Sequence, residues 1–152
     1  MGIEQNLYKW WNDNDLVAIA SFGKSRFKDG EYELYRYVQK SGTVVIGGLK
    51  RLCTAYMKSN NIHRIITYCD LTLFNGNGYT KSGFTYLRDT PPNYFYFQPS
   101  KIELHSRIKF QKHKLNKLLT NFDSSLTEVE NMHANGWLRI FDCGNKLFEL
   151  TI

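Results

Sequence analysis

Apolar and polar residues alternate with a period of two in several short stretches of the chain, which is the pattern typical of β-strands. The pattern predicts strands at residues 6–12, 16–23, 31–38, 62–69 and 94–97. Two further strands are predicted at residues 137–141 and 146–150. They flank Asp142-Cys143-Gly144-Asn145, whose turn-forming residues favour a hairpin between them.

Helical spacing occurs in fewer places. A helix that buries one face is predicted by five apolar residues at i, i+3, i+4, i+7 and i+8, namely Leu49, Leu52, Cys53, Tyr56 and Met57. Residues 75–81 are expected to form a short helix. Thr127 and Glu130 have the spacing of a capping box, which predicts a helix that ends near Gly136.

Residues 101–117, the basic segment, fit both periods. Residues 102–110 alternate like a strand, whereas residues 108–119 have helical spacing. We interpret them as an extended lead-in followed by a helix from about residue 109 to residue 119.

The order of elements predicts an α+β fold with a mixed β-sheet flanked by helices. A chain of 152 residues is long enough for one substantial core. We therefore expect one domain over residues 1–152, with the core sheet and helices in residues 1–100. Residues 101–152 would add the basic helical segment, a short helix and the hairpin.

Charge is concentrated in the basic segment. It holds six lysines and arginines and one acid, Glu103, so it accounts for +5 of the net charge of +6. Concentrated positive charge favours a polyanion as partner, most often a nucleic acid. A solvated, solubilising helix face is the alternative. The residues expected to contact phosphate are Arg107, Lys109, Lys112, Lys114 and Lys117.

Other classes of protein are not favoured. No apolar run approaches the roughly 18 residues of a membrane span, and the N-terminus lacks the layout of a signal peptide. Three cysteines without CxxC spacing predict neither a disulfide framework nor a zinc site. His105, His113, Asp142 and Cys143 fit no metal-ligand pattern, so we expect no metal. These features predict a cytoplasmic protein that does not bind membranes.

Several motifs occur in the order of a known fold. They are Glu33-Leu34-Tyr35-Arg36, Val45-Ile46-Gly47-Gly48-Leu49, Ile66-Thr67-Tyr68-Cys69-Asp70 and the stretch GNGYTKSGF at residues 76–84. Together they resemble the GNAT (N-acetyltransferase-like) fold. The first three are similar to a phage-type branch that includes Mom-like DNA-modification proteins. Residues 107–115 and 139–145 resemble domains that follow nuclease modules in phage homing-endonuclease-like proteins.

The resemblance implies a truncated GNAT-like fold and three alternative functions. The first is transfer of a small group to a DNA base. The second is a non-catalytic DNA-binding module associated with, or derived from, a homing endonuclease, with a nuclease as partner. The third is acyl-CoA-dependent N-acetylation of a protein or metabolite. A phage origin would place the protein in the cytoplasm of a bacterial host.

The resemblance also implies a cofactor site at Gly47 and Gly48, where the GNAT fold binds acyl-CoA. The family's phosphate-binding loop reads R/Q-x-x-G-x-G/A. Val44 stands at the charged position of that loop and Leu49 at its last small position. Glycines at a helix start still present N–H groups to an anion.

Catalytic candidates follow from the strand arrangement that the resemblance implies. If residues 31–38 and 62–69 are neighbouring strands, Arg36 and Asp70 lie where they splay. Arg36 would then bind a phosphate or carboxylate, and Asp70 would act as general base or bind an exocyclic amine. A structural ion pair between them is the alternative. Tyr68 and Tyr79 are either proton donors or base-stacking residues, or they belong to the core.

Overall fold

The structure is a computed structural model that describes residues 6–25 and 27–152. The chain folds into two compact units. Unit 1 contains the described residues up to Thr90 together with Asn145–Ile152, and unit 2 is Pro91–Gly144. Unit 2 is therefore inserted between two segments of unit 1.

The elements follow one another in this order. The strands are β1 (Asn6–Asn12), β2 (Asp15–Lys24), β3 (Tyr32–Gln39), β4 (Arg64–Asp70), β5 (Thr85–Thr90), β6 (Tyr94–Gln98), β7 (Lys101–Ser106), β8 (Leu138–Phe141) and β9 (Asn145–Thr151). The helices are α1 (Gly48–Ser59), α2 (Asn77–Lys81), α3 (Lys112–Leu118) and α4 (Glu128–Ala134), with a 3₁₀ helix at Arg107–Phe110. The predicted α+β class and mixed sheet are confirmed.

Unit 1 is built on a six-stranded sheet in the order β1-β2-β3-β4-β9-β5. Strands β1, β2 and β3 form an antiparallel meander, and β4 is parallel to β3. A parallel pair needs a crossover connection, which α1 supplies. Strand β9 is antiparallel to both β4 and β5.

The parallel pair β3–β4 is joined at one end only. Its register contains Tyr32 with Ile65 and Glu33 with Ile66. An ion-pair network lies at this joined end, where Arg64 Nη1 donates to Glu31 Oε1 at 2.6 Å and Arg64 Nε donates to Glu149 Oε2 at 2.7 Å. Beyond Glu33 and Ile66 the strands diverge, and this opening becomes the cleft described below.

The core of unit 1 lies between the sheet and α1. The helix buries Leu52, Cys53, Tyr56 and Met57, four of the five residues that its spacing predicted to be inside. The Tyr56 ring stacks on Phe22 of β2 at 4.1 Å between centroids. Burying each such side chain stabilises the fold by roughly 1.5–3 kcal/mol, so this packing fixes α1 against the sheet.

Unit 2 has a three-stranded sheet in the order β7-β6-β8. Its core contains the buried residues Tyr96, Phe110, Leu115 and Met132. The predicted capping box is confirmed at the start of α4. There the Glu130 N–H donates to Thr127 Oγ1 at 3.3 Å, and the Thr127 N–H donates to Glu130 Oε2 at 2.8 Å.

The predicted C-terminal hairpin is wrong. Strand β8 pairs with β6 in unit 2, whereas β9 pairs with β4 and β5 in unit 1. The turn-like residues before β9 serve another purpose, because Asp142 Oδ1 accepts the N–H groups of Asn93 and Gly144 at 2.8 and 2.9 Å. The bond to Asn93 joins the two ends of unit 2. After Gly144 the chain enters β9, which belongs to the six-stranded sheet of unit 1.

Two further predictions needed correction. Strand β5 was missed, because its sequence TYLRDT lies at the sheet edge with most side chains exposed and no apolar alternation. The predicted helix over residues 109–119 is shorter. It starts at Lys112, because Gln111 is extended at φ −57° and ψ 139° and separates α3 from the 3₁₀ helix.

Candidate functional site

A cleft opens in unit 1 where β3 and β4 diverge. It encloses about 400 Å³. Strand β3 contributes Tyr37 and Gln39, and strand β4 contributes Cys69. The start of α1 and the helix α2 complete the walls with Gly47, Gly48, Gly78 and Tyr79. We call this the β3–β4 cleft.

The two glycines at the start of α1 are required by the backbone and by packing. Gly47 has φ +67°, in the left-handed region. A Cβ on Gly48 would lie 2.6 Å from Tyr37 Oη and 2.8 Å from Val45 Cγ1. Glycine at these positions therefore lets α1 begin directly against the cleft wall.

The first turn of α1 presents N–H groups at this wall. The Gly48 N–H donates to Val45 O at 3.0 Å, and no side chain caps the helix. The next two amides, of Leu49 and Lys50, have no acceptor within a helix at these positions. The positive end of the helix dipole lies here as well. This part of the cleft can therefore bind an anion.

Tyr79 supplies a hydroxyl group to the cleft. Its oxygen lies 3.5 Å from Thr67 Oγ1, and the Thr67 hydroxyl donates to Leu34 O at 3.0 Å. Its ring packs against Phe84 and Phe148, with both centroids 5.4 Å away. Burial raises the pKa of Tyr79, and the contact with Thr67 opposes this to a smaller degree. The phenol therefore stays protonated at neutral pH and can act as a hydrogen-bond donor.

Cys69 also lines the cleft, and it is buried. Burial raises the pKa of its thiol, while Lys146 and a hydrogen bond from the Gly76 backbone act in the opposite direction. A thiol in this state is a weak nucleophile. We therefore assign Cys69 to the wall of the cleft.

The catalytic candidates Arg36, Tyr68 and Asp70 are not brought together in the β3–β4 cleft. Arg36 lines a separate hollow with Leu7 and Ile19. The Tyr68 ring contacts Phe27 edge to face at 5.6 Å. Asp70 is exposed, and its Oδ1 accepts the Thr72 N–H at 2.8 Å as part of a turn. The expectation that Arg36 and Asp70 share one cleft is thus corrected.

A β-bulge explains the position of Arg36. The register of β3 on β2 slips between Leu34, opposite Phe22, and Arg36, opposite Ser21. The extra residue reverses the alternation of side chains. Leu34 faces the core. Beyond the bulge, Tyr37 and Gln39 lie on the side of β3 that lines the cleft, and Arg36 does not. On β4, adjacent residues face opposite sides, so Cys69 enters the cleft while Tyr68 does not.

Tyr37 and Gln39 line the cleft but were not predicted as residues of the site. They are joined by a hydrogen bond in which Gln39 Nε2 donates to Tyr37 Oη at 2.5 Å. Periodicity alone does not reveal a bulge, so no sequence signal marked them. Tyr79, by contrast, lies within the motif at residues 76–84, and that motif identified its region.

The predicted phosphate-contacting residues all belong to unit 2. Arg107 and Lys109 lie on the 3₁₀ helix, and Lys112, Lys114 and Lys117 lie on α3. All except the half-buried Lys114 are exposed. Within the described part of the chain, none of the five forms an ion pair with a carboxylate. Their positive charge is therefore not neutralised by an ion pair within the described residues.

Neither a metal cluster nor a membrane-spanning helix occurs in the part of the chain that the structure describes. Among residues 6–25 and 27–152, no three His, Cys, Asp or Glu side chains group closely enough to hold a metal ion. In the same residues, no helix has the length and apolar character needed to cross a membrane.

Comparisons with known proteins support the fold. No family model matches the sequence, and no curated protein matches it. Among solved structures, an acetyltransferase from Bacillus subtilis in complex with CoA has a TM-score of 0.52 at 12% identity, covering 97% of this chain and 77% of that one. A protein from Desulfovibrio desulfuricans, provisionally assigned as a GNAT-family acetyltransferase, has a TM-score of 0.52 at 10% identity, covering 97% of this chain and 68% of that one. The fold is therefore GNAT-like, as predicted.

Proposed function

We propose that this protein is a GNAT-fold transferase that binds an acyl-CoA-type donor in the β3–β4 cleft. The observation that carries the proposal is the cleft itself, which combines the open start of α1 at Gly47 and Gly48 with the hydroxyl of the half-buried Tyr79. The shared fold supports it, because the Bacillus subtilis acetyltransferase was solved with CoA.

The residues present fit a phosphorylated donor. The amides of Leu49 and Lys50 would hold its phosphate oxygens. The first turn of α1 contains no acidic residue, and the side chains of Lys50 and Arg51 lie on it. Cations at this end oppose the helix dipole by about 0.3–1 kcal/mol each. A bound anion would offset that unfavourable interaction.

The chemistry of the cleft follows from its polar groups. Acyl-CoA supplies an activated acyl group when bound. Tyr79 carries its phenol proton at neutral pH as any tyrosine does, and burial raises its pKa further. It would donate that proton, or a hydrogen bond, to the leaving sulfur. Cys69 and Leu49 make the wall apolar and so exclude water near the reacting groups.

Calorimetric titration with CoA and acetyl-CoA tests the donor site. Gly78 lines the cleft, and a Cβ at this position meets no atom within 4 Å. A bulky residue here would therefore fill the cleft without straining the fold. We expect binding to the wild type and to Gly78→Ala, and loss of binding in Gly78→Trp. Failure of the wild type to bind either molecule would contradict the proposal.

For the acceptor, we propose an amino group on a DNA base, as in the phage-type, Mom-like branch that the sequence resembles. The exposed cations of unit 2 support a DNA partner, since such charges contact phosphates. A base in a duplex must be unstacked before an enzyme can act on it.

Mass analysis of nucleosides from expressing cells tests the acceptor. We expect a modified base with the wild type, and its loss in Gly78→Trp and Tyr79→Phe. Acetylation of a protein or metabolite in place of DNA would show that the protein is an ordinary N-acetyltransferase. Unmodified DNA from cells that contain folded, CoA-binding protein would contradict a DNA acceptor.

A second candidate function is a non-catalytic DNA-binding module associated with, or derived from, a homing endonuclease. The observation that favours it is the altered phosphate loop, in which the exposed Val44 replaces Arg or Gln and Leu49 replaces a small residue. This function predicts DNA binding without CoA binding. It also predicts that Gly78→Trp leaves DNA binding unchanged, and measurable acyl transfer would exclude it.

A further inference from the structure

Two arginines and two aromatic rings form a cluster on unit 2 that the sequence analysis did not identify. The guanidinium carbons of Arg107 and Arg139 lie 5.4 and 5.2 Å from the centroid of the Tyr94 ring. Arg139 also lies 5.4 Å from the centroid of Phe141. We call Tyr94, Arg107, Arg139 and Phe141 the arginine–aromatic platform.

Strand pairing places the platform. Tyr94 and Phe141 are register partners on β6 and β8, so their rings lie side by side with centroids 5.7 Å apart. Arg139 is two residues before Phe141 and lies on the same face of the sheet. Arg107 reaches the Tyr94 ring from the 3₁₀ helix.

The platform is held in place from one side. The Tyr94 hydroxyl donates to Glu128 Oε1 at 3.0 Å, and the Tyr96 hydroxyl donates to the same oxygen at 3.1 Å. These bonds fix the ring while its face contacts the arginines. Phe141 does not belong to the buried cluster of unit 2. Its side chain is 56% exposed, so its ring is accessible to a ligand.

The arginines lack anionic partners among the residues that the structure describes. Neither Arg107 nor Arg139 forms an ion pair there. Two cations near one ring repel each other, although the ring attracts each of them. An external anion would relieve this repulsion. The planar guanidinium group binds phosphate in a bidentate manner and also stacks on flat rings.

A hollow next to the platform extends the surface that a ligand could contact. It encloses about 370 Å³ between α4 and β8, and Arg139 lines it together with Trp137 and His133. Its walls are mainly apolar and aromatic, which suits a flat ring more than a sugar or a small ion.

We propose that unit 2 binds single-stranded nucleic acid at the arginine–aromatic platform. Arg107 and Arg139 hold phosphates, and unstacked bases lie against Phe141 and the guanidinium planes. Aromatic rings and arginine planes along a basic groove are how proteins bind single strands. The inference rests on the proposed DNA partner, and it adds the form of the nucleic acid and the residues that contact its bases.

Fluorescence anisotropy with the whole protein tests the inference. The probes are a labelled oligothymidylate, an abasic oligonucleotide of the same length and a duplex of that length, all at one salt concentration. We expect oligothymidylate to bind about tenfold more tightly than the abasic strand, since base stacking contributes at this level. Equal binding of both strands would overturn the inference, because it would leave only attraction between charges.

Variants separate the platform from general charge. Arg107→Ala with Arg139→Ala removes two charges, and Lys112→Ala with Lys117→Ala removes the same number from α3. We expect the arginine pair to weaken oligothymidylate binding about tenfold more than the lysine pair does. Phe141→Ala and Arg139→Lys should reduce the preference for bases without unfolding unit 2, as thermal melting would verify.

The remaining outcomes distinguish this inference from the proposal on which it rests. Preferential binding of the duplex would overturn the inference and leave DNA as partner. Binding of heparin in preference to every nucleic acid would overturn both. Absence of binding to all three oligonucleotides at low salt would also overturn both.

Discussion

Unit 1 encloses its candidate site, whereas unit 2 displays its own on the surface. No charged side chain of the described residues lines the β3–β4 cleft, which offers backbone N–H groups, a half-buried phenol and mainly apolar walls. The arginine–aromatic platform instead offers charged side chains and an exposed ring. From this difference we expect unit 1 to select its proposed ligand by shape and fixed amides, and unit 2 to select its own by charge and stacking.

Cysteine reactivity should show the largest contrast between the units. Cys143 of unit 2 is exposed, whereas Cys53 and Cys69 of unit 1 are buried. Burial raises the pKa of Cys53 to about 12, so only about one thiol in ten thousand is ionised at pH 8. Mass spectrometry after alkylation should find Cys143 modified about a thousandfold faster than Cys53. Comparable rates in the native protein would show that the core of unit 1 is open.

Two glycines of the cleft should respond in opposite ways to the same substitution. Gly48→Ala places a Cβ within 2.6 Å of Tyr37 Oη and should destabilise the protein by about 1–3 kcal/mol. Gly78→Ala meets open space in α2 and should stabilise it by roughly 0.5–1 kcal/mol. Urea unfolding measures both values. Equal effects would mean that the start of α1 is not packed against β3.

Salt should distinguish the two ligands. Raising the salt concentration fourfold should weaken oligothymidylate binding about sevenfold if two phosphates are contacted, because counterions are released. Binding of CoA to the cleft should change less, since amides rather than side-chain charges would hold it. Titrations at two salt concentrations measure both responses. A steeper salt dependence for CoA binding than for oligothymidylate binding would contradict the idea that amides hold CoA.

The ion pairs at the joined end of the β3–β4 pair should contribute less to the free energy of unfolding. Arg64→Met removes the ion pairs to Glu31 and Glu149. The Arg64 side chain is 40% exposed, so solvent screening limits the loss to about 1 kcal/mol. Glu149→Gln in the same background should add less than it does alone. Additive losses in urea unfolding would show that the groups do not act together.

Asp70→Asn should have the smallest effect. Its carboxylate accepts one backbone N–H in a turn, and the asparagine amide oxygen can accept the same bond. We expect turnover within about twofold of wild type, as measured by CoA release. A loss of a hundredfold or more would restore Asp70 as the general base.

The sequence predicted those parts of the fold that follow from local patterns. The amphipathic spacing around Leu52 and Tyr56 located α1, and Thr127 with Glu130 located α4. The hairpin was wrong because β8 and β9 each have the composition of a strand, while their partners are distant in sequence. Which strands pair depends on packing across the whole sheet, and a short stretch of sequence carries no information about that packing.

The candidate site could be predicted only in part. The glycine pair Gly47-Gly48 and the motif around Tyr79 identified two walls of the cleft, because backbone geometry requires specific residues there. Arg36 was assigned to the cleft because the resemblance implied neighbouring strands there, and a single bulge in β3 places its side chain elsewhere. The stacking of Arg139 on Tyr94 depends on cross-strand register, so it was visible only in three dimensions.

Amide chemical shifts followed during a titration report where each ligand binds, and so they test the assignment of the two sites. With acetyl-CoA, we expect large shifts for Gly48, Leu49 and Gly78 around the cleft and small shifts at Arg139 and Phe141. With oligothymidylate, we expect the reverse. Acetyl-CoA that leaves the cleft amides unchanged, or shifts those of unit 2 instead, would contradict the assignment of the donor site to unit 1.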